Sequence, residues 1–222
     1  MSAADGLIDT MFKLYEQPLS YDFDPSWARN VNQYDHYYYQ SVGDGVGEIV
    51  GQGKFASTAY AINQWRRVIA LGPSFNTTLS LVQSLEAVAY VNEQGFVYIK
   101  RRNTAKSELL TSVLDNKFRP QLVNSNKLSS SSVLTINGHA YFAIGKQRAA
   151  NSRDYIVLIY DLKAISSWLK KIAPNYGEYI FINQDNQVIA SSKTALNTAI
   201  SASEHWPNVA VDMRKNNHSH LV

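Results

Sequence analysis

The chain has 222 residues, 45% hydrophobic and 18% charged, a balance that builds a buried core and excludes a disordered polymer. Its net charge of +3 is too mild to imply nucleic acid as a partner. The absence of cysteine removes disulfides, thiolate nucleophiles and zinc–thiolate sites together.

No stretch approaches the roughly 20 apolar residues that cross a bilayer. The opening "MSAADGLIDTMFKLYEQ" carries charge where a secretory signal would be apolar. Any membrane anchor is therefore expected outside this segment.

Residues 2–18 read as a helix, with Leu7, Met11, Leu14 and Tyr15 at helical spacing, Ile8 beside them, and Pro18 closing the run. Residues 19–34 read as a loop with short helical turns. The next stretch, "HYYYQSVGDGVGEIVGQGKF", holds five glycines between Gly43 and Gly53 and reads as a flexible connector between helices. Its "GQGKFA" matches a dinucleotide-binding pattern only formally, since no strand is expected before it and no strand–helix–strand unit after it. Tyr37, Tyr38 and Tyr39, taken on a helix, cannot all face one way, which leaves at least one for solvent or a dimer contact.

Residues 57–71 carry the clearest helical periodicity (Ala61, Trp65, Val68, Ile69), and Gly72-Pro73 stops it. Trp65 reads as core, with Arg66 and Arg67 as exposed neighbours. Ser74 then caps a second helix through 85, with Phe75, Leu79 and Val82 or Leu81 inward. A hairpin is expected over 87–101, helix and loop over "TAKSELLTSVLDNKFRPQLV", and a polar connector at "NSNKLSSSS". "SVLTINGHAYFAIGK" contains Asn137-Gly138, a strong two-residue hairpin signal. "DYIVLIYDL" at 154–162 is the continuous apolar run of a central strand. "KAISSWLKKI" follows as a helix with Ile165, Trp168, Leu169 and Ile172 on one side, and "NVAVDM" at 208–213 reads as one more strand.

Two segments are alike at a fixed distance. "YVNEQGFVYIK" at 90–100 returns as "FINQDNQVIAS" at 181–191, so that Val91 meets Ile182, Asn92 meets Asn183, Gly95 meets Asn186 and Val97 meets Val188. Gly and Asn both tolerate the positive φ of tight turns, so the matched positions share a physical demand. The expected fold is α+β: a long N-terminal helix, a five-stranded antiparallel sheet with covering helices, and a smaller or truncated second unit of the same kind.

In this order of elements the chain resembles the double PDC, or dCache-type, extracytoplasmic sensor, built from PAS-like units. The resemblance is carried by "AVAYVNEQGFVYIK" as the opening strand–turn–strand, "HAYFAIGK" as an inner strand, and "YIVLIYDLKAISSWL" as the closing strand running into a helix. It covers roughly 55–195. It implies three segments: 1–55, an N-terminal helical segment and linker; 56–162, a membrane-distal sensor unit; and 163–222, a smaller or incomplete membrane-proximal unit. It implies the periplasmic ligand-sensing part of a membrane-tethered bacterial signalling protein, foremost a GGDEF-type diguanylate cyclase. The alternatives are a histidine kinase or chemoreceptor ectodomain, a protein-binding ectodomain without a small-molecule pocket, and an unrecognised hydrolase. The Arg-x-Trp-Tyr cluster of amino-acid-binding members has no counterpart, since "QWRR" at 64–67 has a different order.

The candidate ligand-binding residues are Tyr98, Lys100, Tyr141, Tyr155 and Asp161, a set in which lysine and tyrosine suit a carboxylate and Asp161 suits an amine. Against this, Asp161 opens a helix and reads as its N-cap ahead of a ligand contact, and Lys100-Arg101-Arg102 reads as a solvated basic cluster ahead of a binding site. No catalytic motif and no cofactor are expected. His36, His139, His205, His218 and His220 are scattered, and His218 and His220 sit in a polar tail. A homodimer through the N-terminal helix and an unidentified small molecule are the expected partners.

Overall fold

In the computed structural model the described residues are 3–17, 28–31, 34–41, 45–52, 67–68, 70–93, 96–103, 107–115, 117–118, 127–131, 133–172, 180–182 and 188–192. In chain order the elements are α1 (Ala3–Glu16), β1 (Ala28–Val31), β2 (Tyr34–Ser41), β3 (Gly45–Gln52), α2 (Gly72–Leu81), β4 (Leu85–Val91), β5 (Val97–Arg101), α3 (Ser107–Leu114), β6 (Ser129–Ser130), β7 (Leu134–Ile136), β8 (His139–Gln147), β9 (Tyr155–Asp161), α4 (Leu162–Ile172), β10 (Ile180–Ile182) and β11 (Val188–Ser191). They fall into two compact units, residues 1–131 with 143–160, and residues 132–142 with 161–222.

The first unit is built on a sheet of order β1-β2-β3-β5-β4-β9-β8-β6. The fold is α+β, and the expected PAS-like antiparallel sheet is present in its β5-β4-β9-β8-β6 portion. The central strands explain themselves. β4 is buried along its whole length and β9 from Tyr155 to Ile159, as apolar runs covered on both faces must be.

The sheet does not stop at five strands. β1, β2 and β3 extend it from the edge of β5, with Glu48 opposite Ile99 and Val50 opposite Val97. The glycine-rich connector and the tyrosine-rich stretch before it are thus an antiparallel pair, from Tyr34 opposite Gln52 to Ser41 opposite Gly45. The aromatic run "YDHYYYQ" has high strand propensity, and pairing with a long partner overrides the weakening effect of glycine in "GVGEIVGQ".

Register divides the inner sheet into two faces, because residues paired across antiparallel strands point the same way. Tyr90 pairs with Tyr98 and Ile156, and Val88 with Lys100 and Leu158, on one face. Ala89 pairs with Ile99 and Val157, and Val91 with Val97 and Tyr155, on the other. The first face meets α1 and α2. Ile8, Met11, Phe12 and Tyr15 of α1, and Phe75 and Leu79 of α2, join Val88, Tyr90, Tyr98, Ile156 and Leu158 in one buried cluster. Tyr15 stacks on Tyr90 with centroids 5.0 Å apart, and Phe75 on Tyr98 at 5.5 Å. Each helix is therefore keyed to the sheet by one aromatic pair, worth about 0.5–1.5 kcal/mol beyond area burial.

α2 begins where a stop was expected. Gly72-Pro73 opens it, with Leu71 at the N-cap and no side-chain cap, so Ser74 does not cap the helix. Proline is favourable in the first turn, where its fixed φ is helical and its missing N–H would be unsatisfied anyway. Val82 packs against the core and Leu81 is exposed. Beyond the C-terminus of α2, the Arg102 guanidinium donates to the carbonyls of Leu79, Val82 (3.1 Å) and Leu85 (3.0 Å). A cation there satisfies carbonyls that the helix leaves open. Of the helix expected over 57–71, Val68 is buried and Arg67 exposed, while Ala61, Trp65, Arg66 and Ile69 lie outside the described residues.

In the second unit, β7 and the start of β8 form the hairpin expected from Asn137-Gly138, whose φ values of 48° and 78° are both positive. Ile165 and Leu169 of α4 are buried, but Trp168 and Ile172 are 55% and 47% exposed instead of facing inward with them. β10 and β11 form a separate antiparallel pair. "NVAVDM", His205, His218 and His220 lie outside the described residues.

Candidate functional site

The make-up of the second sheet face in the first unit follows from β8. Lys146 reaches α1, so its neighbours Gly145 and Gln147, and Ala143 with them, point to the opposite side. That face gathers Ala87, Ala89 and Val91 from β4, Val157 and Ile159 from β9, and Ala143 and Gly145 from β8. All are buried, most of them completely. β4 and β8 thus present alanine and glycine at Ala87, Ala89, Ala143 and Gly145, while β9 between them presents Tyr155, Val157 and Ile159. Small side chains at these positions bring whatever covers the face close to the backbone.

The opposite face is fastened. Lys146 Nζ donates to Asp5 Oδ1 at 2.8 Å and to Asp9 Oδ1 at 2.6 Å, two carboxylates one helical turn apart on α1. Burial pulls the Lys146 ammonium down, but these two hydrogen bonds outweigh it and hold the group above its ordinary pKa. One step along, Arg148 lies over the Tyr15 ring at 5.8 Å, and its Nε donates to Asp154 Oδ2 at 3.1 Å. Asp154, only 5% exposed, also accepts the Glu93 N–H at 2.9 Å. It ties the β4–β5 turn to the segment between β8 and β9, while Arg148 carries the connection to α1. Desolvation, with Tyr15 and Asp154 nearby, pushes the Tyr90 phenol far above its usual value, and burial raises Tyr15. Burial alone pushes Tyr160 up to about 12.

The turn itself is closed by Asn92. Its Oδ1 accepts the Phe96 N–H at 2.8 Å, and its own N–H donates to the Phe96 carbonyl at 2.9 Å. This is the local side-chain bonding that suits asparagine to turns. Its counterpart Asn183 lies outside the described residues, as do Gly95 and Asn186. The flanking pairs are described, and they correspond: Val91 pairs with Val97, and Ile182 pairs with Val188.

The five candidate residues do not share one surface. Tyr98 and Lys100 point to the helix-covered face, where Tyr98 is stacked on Phe75 and Lys100 is only 4% exposed opposite Val88. Lys100 is therefore not a solvated residue, and Arg102 is engaged with the end of α2. Tyr155 points to the small-residue face, opposite Val91. Tyr141 and Asp161 belong to the second unit. There Tyr141 is buried, with the exposed His139 ring 6.4 Å away. Asp161 caps α4, its Oδ1 accepting the N–H of Lys163 at 2.8 Å and of Ala164 at 3.4 Å.

Sequence reasoning passed over Lys146, Gln147, Arg148 and Asp154. The signal was present as alternation: Lys146 and Arg148, two apart on one strand, must share a face, and that face needs acids to meet them. Among the described residues no group of three or more His, Asp or Glu side chains could hold a metal. No helix there is long and apolar enough to cross a membrane.

The first unit thus has a largely antiparallel sheet with helices keyed to one face and several small residues on the other. Solved structures similar to this chain include those of the chemoreceptor Tlp3 of Campylobacter jejuni. Its ligand-binding domain in complex with L-valine is 13% identical with a TM-score of 0.44, covering 69% of this chain and 61% of that one. The sensory domain of the same receptor is 13% identical, TM-score 0.44, covering 73% and 64%. Its isoleucine-bound form is 12% identical, TM-score 0.44, covering 70% and 62%. The chain thus spans about three fifths of the length of these domains. No protein-family model and no curated protein matches it.

Proposed function

We propose that this chain is the extracytoplasmic sensing part of a bacterial membrane-bound signalling protein, in which a small molecule engages the small-residue sheet face and α1 carries the response. A diguanylate cyclase and a chemoreceptor fit equally as the whole protein. The observation that carries the reading is the division of labour between the faces. One is sealed by two helices, aromatic stacks and ion pairs; the other, on β4, β9 and β8, is lined by Ala87, Ala89, Ala143 and Gly145. Because α1 sits on the reverse of the same strands, any ligand that alters the spacing of β8 and β9 also alters the seat of α1. Signal transfer requires that the ligand bind two arrangements with different affinity.

The test is a thermal-shift screen of neutral, anionic and cationic small molecules, followed by a distance measurement between spin labels on Lys13 of α1 and Arg153. A ligand at 100 times its Kd is expected to add about 2.7 kcal/mol of stability. It is also expected to change the label distance. Stabilising ligands that leave that distance untouched would refute the sensing role.

A second reading, an ectodomain that reads another protein, is favoured by Trp168 and Ile172, exposed one turn apart on α4. Loss of a partner on Trp168→Ala, with ligand binding intact, would distinguish it.

A further inference from the structure

The small-residue face ends, at its β8 edge, in two buried polar atoms that make no hydrogen bond. Gln147 is 4% exposed, and its Nε2 donates to the Ser152 carbonyl at 2.9 Å, which fixes the amide orientation. Its Oε1 is buried without a partner. Ser129 Oγ is likewise buried without a partner. Ser129 pairs with Gly145, and Gln147 stands two residues further along β8, so both side chains lie on the face of Ala143 and Gly145. Diagonal neighbours of this kind stand about 7–8 Å apart, with Gly145 contributing no side chain beside them. Buried polar atoms are nearly always hydrogen-bonded, because leaving one unmet is costly, so two on one surface call for an occupant.

We propose that Ser129 and Gln147 form the polar end of the ligand site and that the group they receive is an uncharged hydrogen-bonding one, an amide or a hydroxyl. The Gln147 carbonyl oxygen accepts an N–H or O–H. The Ser129 hydroxyl both donates and accepts. Around this polar end the same face offers no charged side chain from β9 or the first unit's part of β8: the residues there are Tyr155, Val157, Ile159, Ala143, Gly145 and Gln147, while Arg101, opposite Ala87, stands on β5, three strands away from β8. A carboxylate or ammonium buried there would lose its hydration without gaining a counter-charge, whereas a neutral amide or hydroxyl exchanges its water bonds for two protein bonds. The apolar remainder of the ligand then lies along the alanine floor. This inference rests on the sensing role proposed above and narrows the chemistry of its ligand.

The experiment uses propionamide, nicotinamide and D-ribose as neutral probes, with propionate and propylamine as charged isosteres of the first. Binding is read from the Gln147 side-chain amide resonance, assigned by its loss in Gln147→Met. Neutral probes are expected to shift that resonance saturably and to bind at least tenfold more tightly than the charged isosteres. Ser129→Ala is expected to weaken neutral binding at least fivefold while leaving the melting temperature of the free protein unchanged or raised, since it removes an unmet polar atom. Equal binding of charged and neutral probes, no saturable shift with any neutral probe, or wild-type affinity in Ser129→Ala would each overturn the proposal. If a charged ligand binds elsewhere on the face and moves α1 while both variants behave as wild type, the sensing role stands and this site falls.

Discussion

The two faces of one sheet are built to opposite specifications. On the α1 and α2 side the contact residues are large and paired: Tyr90 with Tyr15, Tyr98 with Phe75, Lys146 with Asp5 and Asp9. On the reverse, Ala87, Ala89, Ala143 and Gly145 are small among the valines and isoleucines of β4, β5 and β9, and two polar atoms are unmet. The contrast teaches where stability is held and where adaptability is left. A change on the first face should unfold the protein; a change on the second should alter what it binds.

The largest effect should come from the helix keys. Phe75→Ala empties a fully buried site against Tyr98 and is expected to cost about 3–5 kcal/mol in urea unfolding. Next is Asp154→Ala, which removes the acceptor shared by Glu93 N–H and Arg148. A loss of about 2–3 kcal/mol is expected, together with faster hydrogen exchange at Glu93. Lys146→Met should cost about 1 kcal/mol, because Lys146 and its acids are partly exposed, and that cost should shrink as salt is raised. A cost of zero would mean that α1 is held by its apolar side alone.

Alkaline pH sharpens the same comparison with the smallest change in composition. Lys146, Tyr15, Tyr90 and Tyr160 all hold their protons more tightly folded than their ordinary values of 10.5 and 10.0 imply. Groups raised in the folded state contribute fully below their unfolded pKa and lose that contribution as pH climbs through the folded one. Stability is therefore expected to be insensitive to these four groups up to about pH 9.5 and to fall above about pH 10. A urea midpoint that rises between pH 10 and 11 would contradict their placement.

The inner sheet was legible because its signals were local and concordant. Asn137-Gly138 dictates its own turn, "DYIVLIYDL" is too apolar for an edge, and Asn92 closes the first hairpin with its own side chain. The second hairpin repeats the pairing beside the turn at the offset of 91 that the letters suggested. The outer strands were not legible, because glycine between Gly43 and Gly53 signals freedom in isolation and strand only when a partner is supplied, here the edge of β5. Gly72-Pro73 was read in part: the chain turns at 70–71 ahead of it, and the same pair also opens α2, so that Leu71 and not Ser74 stands at the cap.

The candidate site was half legible. Alternation within each strand was read correctly, but which set faced which way depends on register between strands. Tyr98 and Tyr155 could not be separated until Tyr98 was seen opposite Tyr90 and Tyr155 opposite Val91. Gln147 and Ser129 carry no signal in sequence at all, since their interest lies in what they fail to touch.

The slip in the second hairpin has a consequence for how alike the two segments can remain. Ile182 meets Val188, but Phe181 then meets Ala190, so Ile189 is left over between them. Counting by 91, Ile189 is the heir of Tyr98, yet it is Ala190 that stands where Tyr98 stood, across from the heir of Tyr90. One surplus residue thus exchanges the two alternating lineages from Ala190 onward, while Val188 keeps its inherited partner. Past the bulge, the echo presents the other half of the alphabet.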